Sequence, residues 1–150
     1  MGIDLGVACA SDTIYLAVAE DGSLLDDSPE RLEVASILEE TDALQAMLAN
    51  FGRILTEVDP EQVRILRPEQ TYKDSYTRIA PRAALETIVR LACAGKGTSV
   101  EMLHRSSARA RLGLPRGGKF TTHLSTSVAP SGKYWNKGRN LAAAAALAVE

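Results

Sequence analysis

Two short β-rich runs open the chain, residues 2–8 (GIDLGVA) and 13–19 (TIYLAVA), parted by polar Ser11 and Asp12 and followed by Glu20-Asp21-Gly22. Apolar and β-branched residues bounded by turn formers predict an antiparallel hairpin. Leu24 and Leu25 suggest a third strand, and Ser28-Pro29-Glu30-Arg31 reads as a helix start with proline in its first turn. From Leu32 to about Glu57 the apolar residues recur at helical spacing, which fits one long amphipathic helix or two with a break near Thr41-Asp42. Val63 to Leu66 is a short buried strand, residues 80–94 a helix stopped by Gly95 and Gly97, and Ser99 to Leu103 another strand. Ser106 to Leu112 is a short basic helix. Residues 113–138, rich in Gly, Pro, Ser and Thr, read as a long loop, and residues 140–149 as a helix made almost wholly of alanine. Strands and helices in this order predict an α/β domain, a mixed sheet with helices on both faces.

At 150 residues and 45% hydrophobic content the chain fits one domain, 1–150, with a sizeable core. No run of about 18 uncharged apolar residues occurs and no secretory pattern opens the chain, so a cytoplasmic protein without a membrane span is expected. Cys9 and Cys93 lie far apart in apolar segments and read as reduced, buried thiols.

Charge changes the picture. The formal net charge of -2 hides an asymmetry: residues 1–62 hold 14 acidic and 2 basic side chains, a net of -12, whereas residues 63–150 hold 5 acidic and 15 basic ones, a net of +10. Either the two parts attract each other across the fold, or the second part offers a basic face to a polyanion. Clustering favours the basic face: Arg105, Arg109, Arg111, Arg116 and Lys119 fall close together, and Lys133, Lys137 and Arg139 follow. Trp135 and Tyr134 sit between Lys133 and Lys137, a mix suited to stacking on unpaired bases, with core packing of Trp135 as the competing reading. His104 and His123 have no partner at metal-ligand spacing.

Two carboxylates stand out. Asp4 lies within an apolar first strand, where an unpaired charge is expensive and therefore implies a partner, a hydrogen bond or a metal; capping the hairpin is the structural alternative. Glu69 follows the exit of a second buried strand, a position where α/β sheets present functional groups.

The opening GIDLGVACASDTIYLAVAEDG resembles the first hairpin of ribonuclease-H-like nucleases of the RuvC type. RILRPEQTYKDSYTRIAPRAALETIVRLACAGKGTSVEML resembles that family's strand-four Glu-Gln with the helix and strand after it, and NLAAAAALAVE resembles its last helix. The resemblance implies a ribonuclease-H-like mixed sheet and a Holliday-junction endonuclease that hydrolyses phosphodiesters with Mg²⁺, or Mn²⁺, held by three or four carboxylates, two ions about 4 Å apart. It also implies DNA ahead of RNA as partner, and a homodimer. Asp4 and Glu69 match two of the metal-binding positions, and Lys119 resembles a basic residue near the scissile phosphate, with a solvated loop lysine as the competing reading. The remaining acids belong one turn apart at the start of the last helix, where this chain has Lys137 and Asn140. Asparagine offers a hard cation one neutral oxygen and no charge, so metal binding is expected to be weak or lost, with Asn140 at best a weak third ligand. Glu150, about 15 Å further along a helix, is too far to substitute, and Asp12 and Asp74 need the fold to bring them near.

GIDLG also looks like the first phosphate hairpin of the sugar-kinase, actin and heat-shock ATPase group, which needs a second Gly-rich hairpin and a second domain that 150 residues do not supply. A third reading is a non-catalytic interaction subunit whose alanine helix packs on a partner.

Overall fold

The computed structural model describes residues 2–33, 40–68 and 75–150. The expected hairpin forms from β1 (Ile3–Cys9) and β2 (Thr13–Glu20), antiparallel with Asp4 level with Ala19 and Ala8 with Tyr15. Two short strands pair with the far side of β2: β3 (Ser23–Leu24) at its end and β4 (Arg31–Glu33) at its start. The segment expected to begin a helix at residues 28–31 is thus partly strand. The Thr13–Tyr15 edge of β2 is open, and pairing its backbone groups outweighs the local helical signals of Pro29 and Glu30.

Helix α1 (Thr41–Val58) begins at the expected break and buries Met47, Phe51 and Leu55, one face at helical spacing. Strand β5 (Gln62–Leu66) runs parallel to β1, and β6 (Ser99–Leu103) parallel to β5. Between them α2 (Tyr76–Lys96) starts earlier than expected, so Pro81 lies in its second turn. Strand order is β3-β2-β1-β5-β6, a mixed sheet. Helix α3 (Arg105–Leu112) follows. The stretch 113–138, expected as loop, contains helix α4 (Phe120–Ser127) and a single 3₁₀ turn (Trp135–Lys137). Its Thr and Ser content conceals a helix anchored by only two apolar residues, Phe120 and Leu124, one turn apart and both buried. Last comes α5 (Arg139–Leu147).

Alternation along the strands divides the core. Leu5 and Val7 of β1 face α1 and α2, together with Val63, Ile65, Phe51 and Leu85. The other face carries α5, flanked by α3 and α4. Helix α5 lies unusually close: a Cβ on Gly6 would fall 1.9 Å from the backbone oxygen of Ala142. Only glycine beneath and alanine above allow that approach, which explains why Ala142 to Ala146 are fully buried. Among the described residues no helix is long and apolar enough to cross a membrane.

Candidate nucleic-acid interface and the carboxylate positions

Asp4, Gly6 and Ala8 share the α5 face of β1, so the direction of α5 decides which of them meets the head of that helix. Gly138, just before α5, abuts the Tyr15 ring, and Tyr15 is level with Ala8. At the other end Arg64 of β5 donates from Nη1 to the carbonyls of Ala145 (3.2 Å) and Ala146 (3.1 Å), and from Nη2 to Asp4 (2.9 Å). The helix therefore runs against β1, its head over Ala8 and its tail over Asp4. Asn140 and Ala145 are five residues apart, roughly 8 Å along a helix at 1.5 Å per residue, so Asn140 belongs to the opposite end from Asp4. Its Oδ1 accepts the Leu141 backbone N–H at 2.9 Å, a bond internal to the first turn.

Asp4 itself is bound into a charged chain. The buried Arg64 lies between Asp4 and Glu101 (Nε to Oε1, 3.7 Å), Glu101 receives both Nη atoms of Arg111 at 2.8 Å, and Arg111 reaches Glu150 at 3.1 Å and the carbonyl of Ala148 at 3.2 Å. The last carbonyls of a helix lack intrahelical donors and carry partial negative charge, so two guanidinium groups satisfy the tail of α5 while the acids neutralise them. The hydrogen bonds from Arg111 hold the Glu101 carboxyl below its usual range. Arg64 is the residue that sequence reasoning missed. An arginine between Val63 and Ile65 in a strand with buried neighbours was itself the signal, since it needs an internal acid.

Glu69 lies outside the described residues, and so does Asp74. The register sets Asp4 level with Gln62, the first residue of β5, with the strand's exit at Leu66 a further four residues along, roughly 13 Å at strand rise. Among the described residues no group of three or more His, Cys, Asp or Glu side chains is placed to hold a metal ion. Among the described residues, Glu86 of α2 approaches the far end of β1 at Cys9. Burial pushes its carboxyl up, against the pull of Arg82, Arg67 and Arg90, and it helps burial to push the Cys9 thiol well above its usual value. Burial likewise pushes the Cys93 thiol up to about 11, and both cysteines are free.

The basic residues separate into three groups. Arg116, Lys119, Lys133 and Lys137 are exposed, as is Arg67 at the exit of β5, which the sequence pattern did not single out. Arg105 and Arg109 flank the Phe120 ring at 5.6 and 5.7 Å, and Arg109 is engaged with loop carbonyls. Three expected contacts are corrected. Arg111 is tied to Glu101 and Glu150. Arg139 is 1% exposed and donates to the Ser131 carbonyl, with its Nε unpartnered. Trp135, 3% exposed, packs with Ala8, Tyr15, Ala142 and Ala143, so no base can stack on it. Tyr134 is the aromatic nearer the surface, with Arg31 over its ring at 3.8 Å and Lys133 at 5.0 Å.

No family model matches the chain, and no curated protein matches it. Solved structures do match, and two of them are of one protein. One is Thermus thermophilus RuvC in complex with Holliday junction substrate, at TM-score 0.73 and 15% identity, covering 97% of this chain and 90% of that one. The other is Thermus thermophilus RuvC, at TM-score 0.73 and 18% identity, covering 97% and 92%. The fold is RuvC-like, of the ribonuclease-H-like class.

Proposed function

We propose that this chain is a DNA-binding protein of RuvC-like fold that does not hydrolyse phosphodiesters at the Asp4 and Asn140 positions. The observation that carries the reading is the direction of α5. A metal site of the implied kind needs a strand-one carboxylate facing the head of the last helix, and the residue there is Ala8, 5% exposed and packed on Trp135. Asp4 faces the helix tail, with Arg64 at 2.9 Å where a cation would sit. At the head itself stand Lys137 and an Asn140 whose oxygen is already bonded. These described residues do not fit Mg²⁺ or Mn²⁺, hard cations that favour several charged oxygens, at about 2.0–2.1 Å for Mg²⁺.

DNA binding is supported by the exposed cations near the exit of β5 and along residues 116–137, in a half of the chain with few acids, and by the junction bound to the RuvC structure of the same fold. DNA is the commitment and RNA an outcome of the test; the cytoplasm is the compartment this reading implies. Fluorescence anisotropy with a four-way junction, duplex and single-stranded oligonucleotides, and a single-stranded RNA, at low salt, should detect binding to the DNAs. Gel analysis with Mg²⁺ or Mn²⁺ should show no cleavage. Titration calorimetry should find no divalent-ion binding even in Asn140→Asp/Lys137→Asp, since among the described residues no strand acid faces them. Cleavage that Asp4→Asn abolishes, or ion binding gained by that double variant, would overturn the reading.

Self-association is the second part of the proposal. Leu44, Leu48 and Leu91 are exposed along an apolar groove between α1 and α2, floored by Ile88. The two helices run side by side in one direction, with Lys96 Nζ on Thr56 Oγ1 at 2.6 Å. In or beside α1, Glu40, Asp42, Glu57 and Asp59 outweigh Arg53, whereas on α2 Arg78, Arg82, Arg90 and Lys96 outweigh Glu86. A two-fold axis along the groove sets the acidic helix of one copy on the basic helix of the other, a self-complementary pairing.

A further inference from the structure

The loop between α3 and α4 carries Arg116 and Lys119, two exposed cations of the proposed interface, and its shape depends on a residue that does not project from it. Four consecutive carbonyls turn toward one guanidinium. Arg109 donates from Nη1 to Pro115 O (2.9 Å), Arg116 O (3.0 Å) and Gly117 O (3.3 Å), and from Nη2 to Gly118 O (2.7 Å). His123 Nε2 braces the same loop at Gly117 O (2.5 Å). Gly118 has φ +80°, and a Cβ there would lie 2.7 Å from His123 Nε2, so the wrapping needs glycine at that position.

A guanidinium has five N–H donors in a planar fork; the four carbonyls engage both Nη1 hydrogens, one of them shared, and one Nη2 hydrogen. Arg109 therefore commits three of its five donors to the loop, although its sequence position within the basic cluster suggested a phosphate contact. We propose that Arg109 is a positioning residue: it closes residues 115–118 around itself and so fixes the directions in which Arg116 and Lys119 leave the surface, setting the phosphate spacing they meet. This rests on the DNA-binding reading. Pre-closing the loop removes ordering that binding would otherwise have to supply. Lysine cannot replace it, because a compact ammonium with three donors does not span four carbonyls in a fork.

The test compares Arg109→Lys, Arg109→Ala, Arg116→Ala and Lys119→Ala in the full chain, by anisotropy on a four-way junction over a salt series and by hydrogen exchange across residues 113–119. Arg109→Lys keeps the charge, yet it should lose affinity about tenfold, as Arg109→Ala does, the order expected when two long side chains must be ordered on binding. Both should speed exchange at residues 116–118 while the amides of β1 and β5 stay protected, which shows that the fold survives. Arg116→Ala and Lys119→Ala should flatten the salt slope with loop exchange unchanged. Full affinity in Arg109→Lys would mean that charge alone matters and would overturn the proposal, as would unchanged loop exchange in both Arg109 variants. Absence of DNA binding by the unaltered protein would overturn the functional reading itself, and with it any role for Arg109 in that binding.

Discussion

At the scale of single residues, charges in this protein are governed by what surrounds them. Asp4 and Arg64 show how a partly buried acid that looks catalytic in sequence can serve a helix end instead. Removing one partner of a buried pair leaves the other uncompensated, so Arg64→Met should cost about 3–5 kcal/mol, while Asp4→Asn, which leaves Arg64 with Glu101 and two carbonyls, should cost less, about 1–3 kcal/mol. Urea unfolding at neutral pH measures both, and a larger cost for Asp4→Asn would contradict this ordering. Glu86 gives a prediction of opposite sign. Its carboxyl is raised by burial, so its contribution is favourable when protonated at acid pH and is lost as pH rises through its raised folded-state value. Glu86→Gln should therefore stabilise the protein at pH 7 and change little well below pH 4. Glu101, held low by Arg111, acts the other way: its contribution is present at neutral pH and is lost as pH falls through its folded-state value. Thermal melts of Glu86→Gln against pH would decide the matter, and destabilisation at pH 7 would show that Arg82, Arg67 and Arg90 outweigh the desolvation.

At the scale of elements, α5 is the piece on which the rest depends. Its alanine face lets the backbone come down onto Gly6, and its two ends are held by unlike devices: aromatic packing of Trp135 and Tyr15 at the head, two arginines at the tail. A side chain at position 6 meets backbone rather than a movable side-chain tip, so Gly6→Ala should force the helix outward. Overpacking of this kind costs typically 1–3 kcal/mol, and the backbone contact puts Gly6→Ala at about 3 kcal/mol or more. Its unfolding midpoint should fall accordingly, with faster hydrogen exchange along α5. A midpoint within about a degree of the parent protein would mean that the helix is free to shift. Leu48→Glu/Leu91→Glu, on the opposite face, should leave stability nearly unchanged and convert a dimer to a monomer in sedimentation equilibrium. A parent protein monomeric at every concentration, or a variant still dimeric, would refute the groove as the contact.

At the scale of the whole molecule, the charge asymmetry is only partly neutralised within the fold. Asp4–Arg64 joins the acidic and basic parts, whereas Glu101–Arg111–Glu150 is internal to the second. Within residues 105–139 the exposed cations are therefore Arg116, Lys119, Lys133 and Lys137 rather than Arg111 and Arg139. Arg116→Ala/Lys119→Ala/Lys137→Ala should flatten the slope of log affinity against log salt by up to about 3, since each phosphate neutralised contributes about 0.9, whereas Arg111→Ala should lower stability and leave the slope alone. An unchanged slope in the triple variant would place the interface elsewhere. Periodicity alone was enough for the hairpin, the two parallel strands, α2, α3 and the alanine helix, because each buries one face whose spacing is written locally. It failed at residues 31–33 and 120–127, where an open strand edge and two buried side chains far from their partners in sequence decided the outcome. Likewise the residue types of the candidate site, an acid in strand one and none at the head of the last helix, are plain in the sequence. Which strand-one residue faces that head depends on the direction in which α5 crosses β1. That direction is set by packing on Gly6, by Tyr15 against Gly138 and by Arg64 at the helix tail, contacts that exist only after the chain has closed on itself.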